Sequence, residues 1–318
     1  MEIRNYRAED ANAVTALWNT VGAAMGYAPR DRQALSALLL EHPDACPRHS
    51  FVCAENGRVI AYASGCTGDG LEQGAVRGYL NCILTDRRDC ADALLDALEQ
   101  SFREAGKSES VVNYFNPIRL PWIIPGTEDH EHNNCPGCPD DLPLRDCMRE
   151  RGYTAVSTQM AMHLDLRDFV MPDRLAEKAQ RMAAQGYTVD WYREGVHRGV
   201  DEMVEALHNS MWSAEIPPAA HNGLPLLVGL QGDTVAGFTG PVRPEATGRG
   251  YFAGIAVAPQ FEGHGLGTLL FYRLLEAEKQ VGSRYMTLFT GTDNPAQNIY
   301  KGAGFAAVRY FDVLRKKL

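Results

Sequence analysis

The sequence predicts an α/β fold built twice in tandem, and three observations carry that reading. Two hairpins of the same form recur, Phe51 to Gly65 around Asn56-Gly57 and Leu226 to Gly240 around Gly232. Asn-Gly between apolar runs is a strong short-range hairpin signal. In both halves a helical segment precedes the hairpin and a tyrosine-led apolar strand follows it. Each half then runs through a leucine-rich helix and a strand to an Asn-Pro, and finishes with Gly and an aromatic opening a last strand.

In the first half these elements are the helix Ala11 to Val21, the hairpin, the strand Tyr79 to Leu84, Asn116-Pro117 and Gly152-Tyr153. In the second they are the helix Val200 to Trp212, the hairpin, the strand Tyr251 to Val257, the amphipathic segment Leu269 to Val281, Asn294-Pro295 and Gly304-Phe305. Pro172 to Gly186 reads as a linking helix. The expected boundaries are a first domain over 1–168 with an inserted loop at about 118–147, a linker over 169–186 and a second domain over 187–318.

At 318 residues the chain has room for two domains of ordinary size. Hydrophobic residues make up 45% and charged residues 22%, a globular composition with no run long enough to span a membrane. The polar start, Met1 to Asp10, reads as entering structure at once, without a signal peptide, and predicts a cytoplasmic location. The net charge of −9 argues against nucleic acid as a partner and favours small cationic substrates such as amines. All the cysteines lie between Cys46 and Cys147, and in a reducing compartment they act as small hydrophobes.

Chemistry concentrates at Val257-Ala-Pro-Gln-Phe-Glu262-Gly263-His264-Gly265-Leu266-Gly267-Thr268. A strand that turns through glycines into a helix presents free backbone N–H groups at the positive end of the helix dipole, a site for phosphate or pyrophosphate. The glycines let the backbone approach the anion closely. The spacing is G-x-G-x-G, not the G-x-G-x-x-G of a Rossmann turn, and no Gly-Lys-Ser/Thr of a Walker loop is present. Downstream, Asn294-Pro-Ala-Gln-Asn-Ile-Tyr300-Lys-Gly-Ala-Gly304-Phe305 reads as a capped short helix with a glycine stop.

Together these two segments resemble the GNAT N-acetyltransferase superfamily. The resemblance implies a mixed, mostly antiparallel sheet flanked by helices, with two GNAT-like domains in tandem. It implies acetyl-CoA as cosubstrate and a small amine as acceptor. Gly263, His264, Gly265, Leu266, Gly267 and Thr268 would hold the pyrophosphate, and Glu262 stands where the family has Arg or Gln. Ile255, Ala256 and Val257 would hold the thioester. Asn294 and Tyr300 would lie beside it, with Tyr300 protonating the departing thiolate. The family's usual glutamate base is missing from the strand before the turn. His221 or Glu215, both in the stretch Ser213 to Gly223 that reads as irregular, or a chain of water molecules could take that role. A non-catalytic acyl-CoA sensor or interaction protein is the alternative function, and the assembly is expected to be a monomer or homodimer.

The first half lacks the glycine turn. Thr85-Asp86-Arg87-Arg88-Asp89-Cys90-Ala91-Asp92 replaces it, placing two carboxylates where the anion would sit, so this copy is expected to bind no acyl-CoA and to serve a structural role. The insertion contains His130, His132, Cys135 and Cys138, which have the types of a zinc ligand set. Four ligands within nine residues are cramped. A Pro/Gly-rich surface loop, or histidines lining the substrate opening, explains the string as well, and no metal is expected.

Overall fold

The computed structural model describes residues 1–113, 116–127 and 130–318. The first half begins with strand β1 (Glu2–Asn5) and helices α1 (Ala11–Thr20), α2 (Gly22–Met25) and α3 (Arg32–Leu39). The hairpin of β2 (Ser50–Glu55) and β3 (Arg58–Cys66) turns where expected, with both Asn56 and Gly57 at positive φ, 51° and 76°. Then come β4 (Arg77–Leu84), α4 (Arg88–Glu104) and β5 (Glu109–Val112). The insertion forms β6 (Trp122–Ile123), β7 (Glu131–His132) and β8 (Cys138–Pro139), and α5 (Pro143–Glu150) and β9 (Thr154–Asp165) close this half. Helix α4 places Leu94, Leu98 and Phe102 on one stripe, all fully buried in a core with Ala61, Ala63 and Leu80.

The second half contains α6 (Arg174–Ala184), β10 (Tyr187–Trp191), α7 (Val200–Glu205), α8 (Ser210–His221), β11 (Leu227–Gln231), β12 (Thr234–Thr239) and β13 (Ile255–Val257). It continues with α9 (Leu266–Gln280), β14 (Tyr285–Gly291), α10 (Gln297–Gly302) and β15 (Ala306–Lys317). Strands β10, β11, β12 and β13 make an antiparallel sheet in that order.

Contacts divide the chain into two units. One comprises Met1–Ala161, Gly291–Asp293 and Val308–Leu318, the other Met162–Thr290 and Asn294–Ala307. From Val308 on, the last strand therefore belongs to the first unit. There β15 pairs antiparallel with β5, Leu314 opposite Val112, and with β8, Phe311 opposite Pro139. Its side chains explain the attachment. Arg309 donates to the carbonyls of Ala24 and Met25 at 2.8 and 3.0 Å, and Lys316 reaches the buried Glu99 carboxylate at 2.7 Å. Phe311 meets Trp122 edge to face at 4.9 Å, and both are fully buried.

Three local expectations change. Val200 to Trp212 is two helices, broken at His208 with φ 52°, after which Asn209 caps α8 by accepting from the N–H groups of Met211 and Trp212. Ser213 to Gly223 is largely helix despite Pro217 and Pro218, because Ile216 and Ala220 are packed in the core of the second unit. Residues 251–254 do not join β13. The φ of +144° at Gly254 and a hydrogen bond from Trp212 Nε1 to the Ala253 carbonyl at 3.0 Å end the strand there.

In the insertion, Glu128 and Asp129 lie outside the described residues. His132 Nδ1 is hydrogen-bonded to the Asn134 carbonyl and Cys135 Sγ donates to the Gly137 carbonyl. Cys138 is buried, with burial pushing its thiol pKa well up. Among the described residues no three His, Cys, Asp or Glu side chains gather as a metal cluster would require.

Replacing Leu314 by Ala should destabilise the first unit by about 2–5 kcal/mol, since it removes a fully buried side chain from a strand that completes that unit. Thermal unfolding followed by limited proteolysis of the full chain measures the effect. Preferential cleavage within 1–161 is the expected pattern.

Candidate active site

Helix α9 begins at a turn that only glycine makes without strain. Gly263 and Gly265 sit at φ +83° and +82°, and a Cβ on Gly263 would meet nothing within 4 Å. Gly265 is the N-cap, and the first bond of the helix runs from Leu269 N to the Gly265 carbonyl. Among the described residues the backbone N–H groups from Gly263 to Thr268 have no acceptor. Gly267 lies on the first turn, where an added Cβ would touch only Val257 Cγ2 at 3.7 Å, so this face of the turn is open.

Leu266 is buried and anchors the turn. It occupies the space over Gly229 of β11, where any Cβ would collide with it. His264 is exposed and stacks on Tyr187 at 4.4 Å, tying the turn to β10. Glu262 is exposed and makes no ion pair among the described residues.

Strand β13 pairs with β12 alone in its sheet. Ala258 N donates to the Ala236 carbonyl at 2.9 Å. Alternation along an antiparallel pair then directs Ala256 towards β12, and turns the N–H and C=O groups of Ile255 and Val257 away from it. The approach of the two strands is close. A Cβ at Gly237 would lie 2.5 Å from the Ala256 carbonyl oxygen.

The run-up to β13 is fixed from two sides. Trp212 of α8 packs against Gly254 and edge to face on Phe238 at 5.5 Å, while Thr239 Oγ1 donates to the Gly254 carbonyl. Glu278 of α9 is fully buried, accepts from the Arg243 N–H at 3.0 Å and from Ser283 Oγ at 2.6 Å, and touches Gly250. Burial raises its pKa to about 7, a shift that those two hydrogen bonds reduce.

Tyr300, on α10, is 7% exposed and packs against Phe271 at 4.8 Å, with Phe305 beside it at 6.3 Å. No described residue hydrogen-bonds its hydroxyl, and burial raises its pKa. Asn294 is exposed, with its side-chain oxygen accepting from the Ala296 N–H at 2.9 Å, so it shapes the entry to α10.

The two base candidates separate. His221 is on the surface between Glu194 at 3.0 Å and Asp201 at 3.1 Å, and those carboxylates raise its pKa. Glu215 accepts a hydrogen bond from Tyr251. Tyr251 precedes β13, lies under the Arg243 guanidinium at 3.9 Å, and has its pKa raised to about 12 by burial and by Glu215. Sequence reading missed Tyr251, Trp212 and Glu278. A glutamate in the otherwise apolar stripe of α9 is a signal that could have found the last.

Residues 185–305 match the model of the acetyltransferase (GNAT) family. No curated protein matches the chain by sequence. Among solved structures, a glucosamine N-acetyltransferase region of a fungal multi-domain GH3 β-N-acetylglucosaminidase is similar with a TM-score of 0.63 and 16% identity. That match covers 99% of this chain and 38% of the other, so the chain spans well under half of that protein. A GCN5-related N-acetyltransferase from Sphaerobacter thermophilus is similar with a TM-score of 0.59 and 13% identity, covering 99% and 95%. A tandem GNAT protein from the clavulanic acid biosynthesis pathway gives 0.53 and 16%, covering 99% and 98%. At these identities the likeness establishes the fold, mixed α/β with two GNAT-like domains in tandem.

Glu278 gives this unit a pH signature. Its pKa in the folded state, about 7, lies above its ordinary value of 4.5, so its contribution to stability is complete below about pH 4.5 and is lost as the pH rises through 7. The size is on the order of 3 kcal/mol. Glu278→Gln should flatten that decline, as measured by melting temperature across the same pH range.

Proposed function

We propose, from the match of residues 185–305 to the acetyltransferase (GNAT) family, that the chain is an N-acyltransferase moving an acetyl group from coenzyme A to the amine of a small molecule. The observation that carries this reading is the row of unpartnered N–H groups from Gly263 to Thr268 at the start of α9, next to a strand that pairs on one side only. Acetyl-CoA brings the activated acyl thioester. The residues here fit it. The turn is open at Gly263 and Gly267, and Ile255 and Val257 keep backbone groups free for the thioester carbonyl and the pantetheine amides.

The amine must lose a proton, because only its free base attacks. Glu215, directly or through the Tyr251 hydroxyl, is the carboxylate we assign to receive it. The nitrogen bonds to the acyl carbon, the carbon–sulfur bond breaks, and the nitrogen sheds its remaining extra proton to water. Tyr300 then gives its hydroxyl proton to the departing sulfur and regains one from solvent. A hydroxyl without a partner among the described residues, held at one point by Phe271 and Phe305, suits that donor role. The acidic chain, with a net charge of −9, favours cationic acceptors.

In the first unit the equivalent helix start is closed by the protein's own charges, which supports its reading as structural. Arg87 pairs with Asp89 at 2.6 Å and with Glu55 at 3.2 Å, Asp89 accepts from the Cys90 N–H, and Asp92 is held by Arg88 and Arg151. Calorimetry with acetyl-CoA should accordingly give one site per chain.

Release of free coenzyme A, followed over a panel of polyamines, amino sugars, amino acids and aminoglycosides, tests the enzyme against a sensor, which would bind without turnover. With an acceptor in hand, Tyr300→Phe should lower turnover roughly 10- to 1,000-fold with little change in acetyl-CoA affinity. Glu215→Gln should likewise lower turnover with little change in acetyl-CoA affinity. Unchanged kinetics in both variants would take these residues out of the mechanism.

A further inference from the structure

We propose that Lys178, carried by α6 ahead of the second domain, supplies the cation for the coenzyme A diphosphate at the glycine turn. The inference rests on the reading of that turn as an acyl-CoA site and names a residue the turn itself does not contain. Lys178 lies directly over the N-cap of α9, where a Cβ on Gly265 would sit 2.6 Å from Lys178 Nζ. Its ammonium therefore stands at the mouth of the unpartnered N–H row.

That position is electrostatically costly without an anion. The start of a helix carries roughly half a positive charge, and a cation beside it is repelled. Lys178 is half-buried, and among the described residues it has neither an ion pair nor a hydrogen-bond acceptor. Desolvation, with Arg181 nearby, lowers its pKa. Glu262 offers no relief, since it is exposed and unpaired. A lysine, a helix terminus and a row of bare N–H groups converge, and among the described residues no carboxylate pairs with any of them. A diphosphate would satisfy all three.

The helix that carries Lys178 is held in place. Leu175 and Met182 of α6 are buried, Arg174 reaches Tyr272 of α9 at 3.5 Å, and Gln185 just beyond α6 meets His264 Nδ1 at 3.4 Å. Arg174, Lys178 and Arg181 fall at intervals of four and three, on one face of α6.

The test is calorimetric binding of coenzyme A and of dephospho-coenzyme A to the full chain and to Lys178→Gln and Lys178→Arg, with melting temperatures measured in parallel. The expected result is a roughly 10- to 100-fold weaker affinity in Lys178→Gln for both ligands, the size of one hydrogen bond to a charged group. Lys178→Arg should recover most of it, and the deficit should shrink as salt is raised. Without ligand, Lys178→Gln should melt no lower than the parent, because an unpaired cation at a helix start is removed. A merely structural lysine would lower that melting temperature instead. Equal affinities in parent and Lys178→Gln overturn the proposal. A deficit seen with coenzyme A but absent with dephospho-coenzyme A would place Lys178 on the 3′-phosphate and also overturn it. If the parent binds neither ligand, the acyl-CoA reading of the turn fails first, and this assignment with it.

Discussion

A β-strand that leaves half of its backbone groups unpaired is the constraint on which the second unit depends. Strand β13 has a partner only in β12, and such an edge frays or recruits another strand unless something else fixes it. Gly237 brings β12 close enough to grip it. Trp212 and Thr239 hold the chain just upstream, and buried Glu278 ties the preceding loop to α9. Through that grip the three-residue strand keeps its unpaired groups in a fixed direction, as a site for an extended ligand must.

The first unit meets the same constraint differently. Strand β4 pairs in parallel with β5 through Arg77, Gly78 and Tyr79, and beyond that point Asn116 Nδ2 donates to the Leu80 carbonyl at 2.6 Å. Ile118, Leu120 and Trp122 of the following segment are buried there. The Asn116 side chain takes up one of the strand's free carbonyls, and Asp89 and Asp92 lie at the helix start. One architecture appears twice, once left open and once filled by its own insertion.

Much of this was legible because it rests on local stereochemistry. Asn56-Gly57 and Gly263-x-Gly265 occupy backbone conformations that other residues rarely take, so their turns could be read directly from residue type. Tyr300 could be placed on a short helix because Asn294-Pro295 starts it and Gly304 ends it. The misreadings came where tertiary packing overrides local preference. Ser213 to Gly223 reads as irregular, yet α8 continues through Pro217 and Pro218, and Tyr251 reads as strand although Gly254 and Trp212 divert the chain. Lys178 was invisible for another reason: its meaning comes from α6 lying against the start of α9, which no periodicity in α6 reveals. The attachment of β15 to β5 was hidden likewise, since alternation marks a strand but does not name its neighbour.

That attachment bears on how the chain acquires its shape during synthesis. A protein emerging from the ribosome ordinarily completes its leading domain first. Here the leading unit lacks a central strand until residues 308–317 have been made, when the entire second unit has already been synthesised. Residues Val111 and Val112 of β5 must wait with one flank unsatisfied for a partner about 200 positions away, a loop closure of high sequence separation and correspondingly slow formation. The order of folding is thereby inverted relative to the order of translation, with the second unit able to settle before the first is sealed.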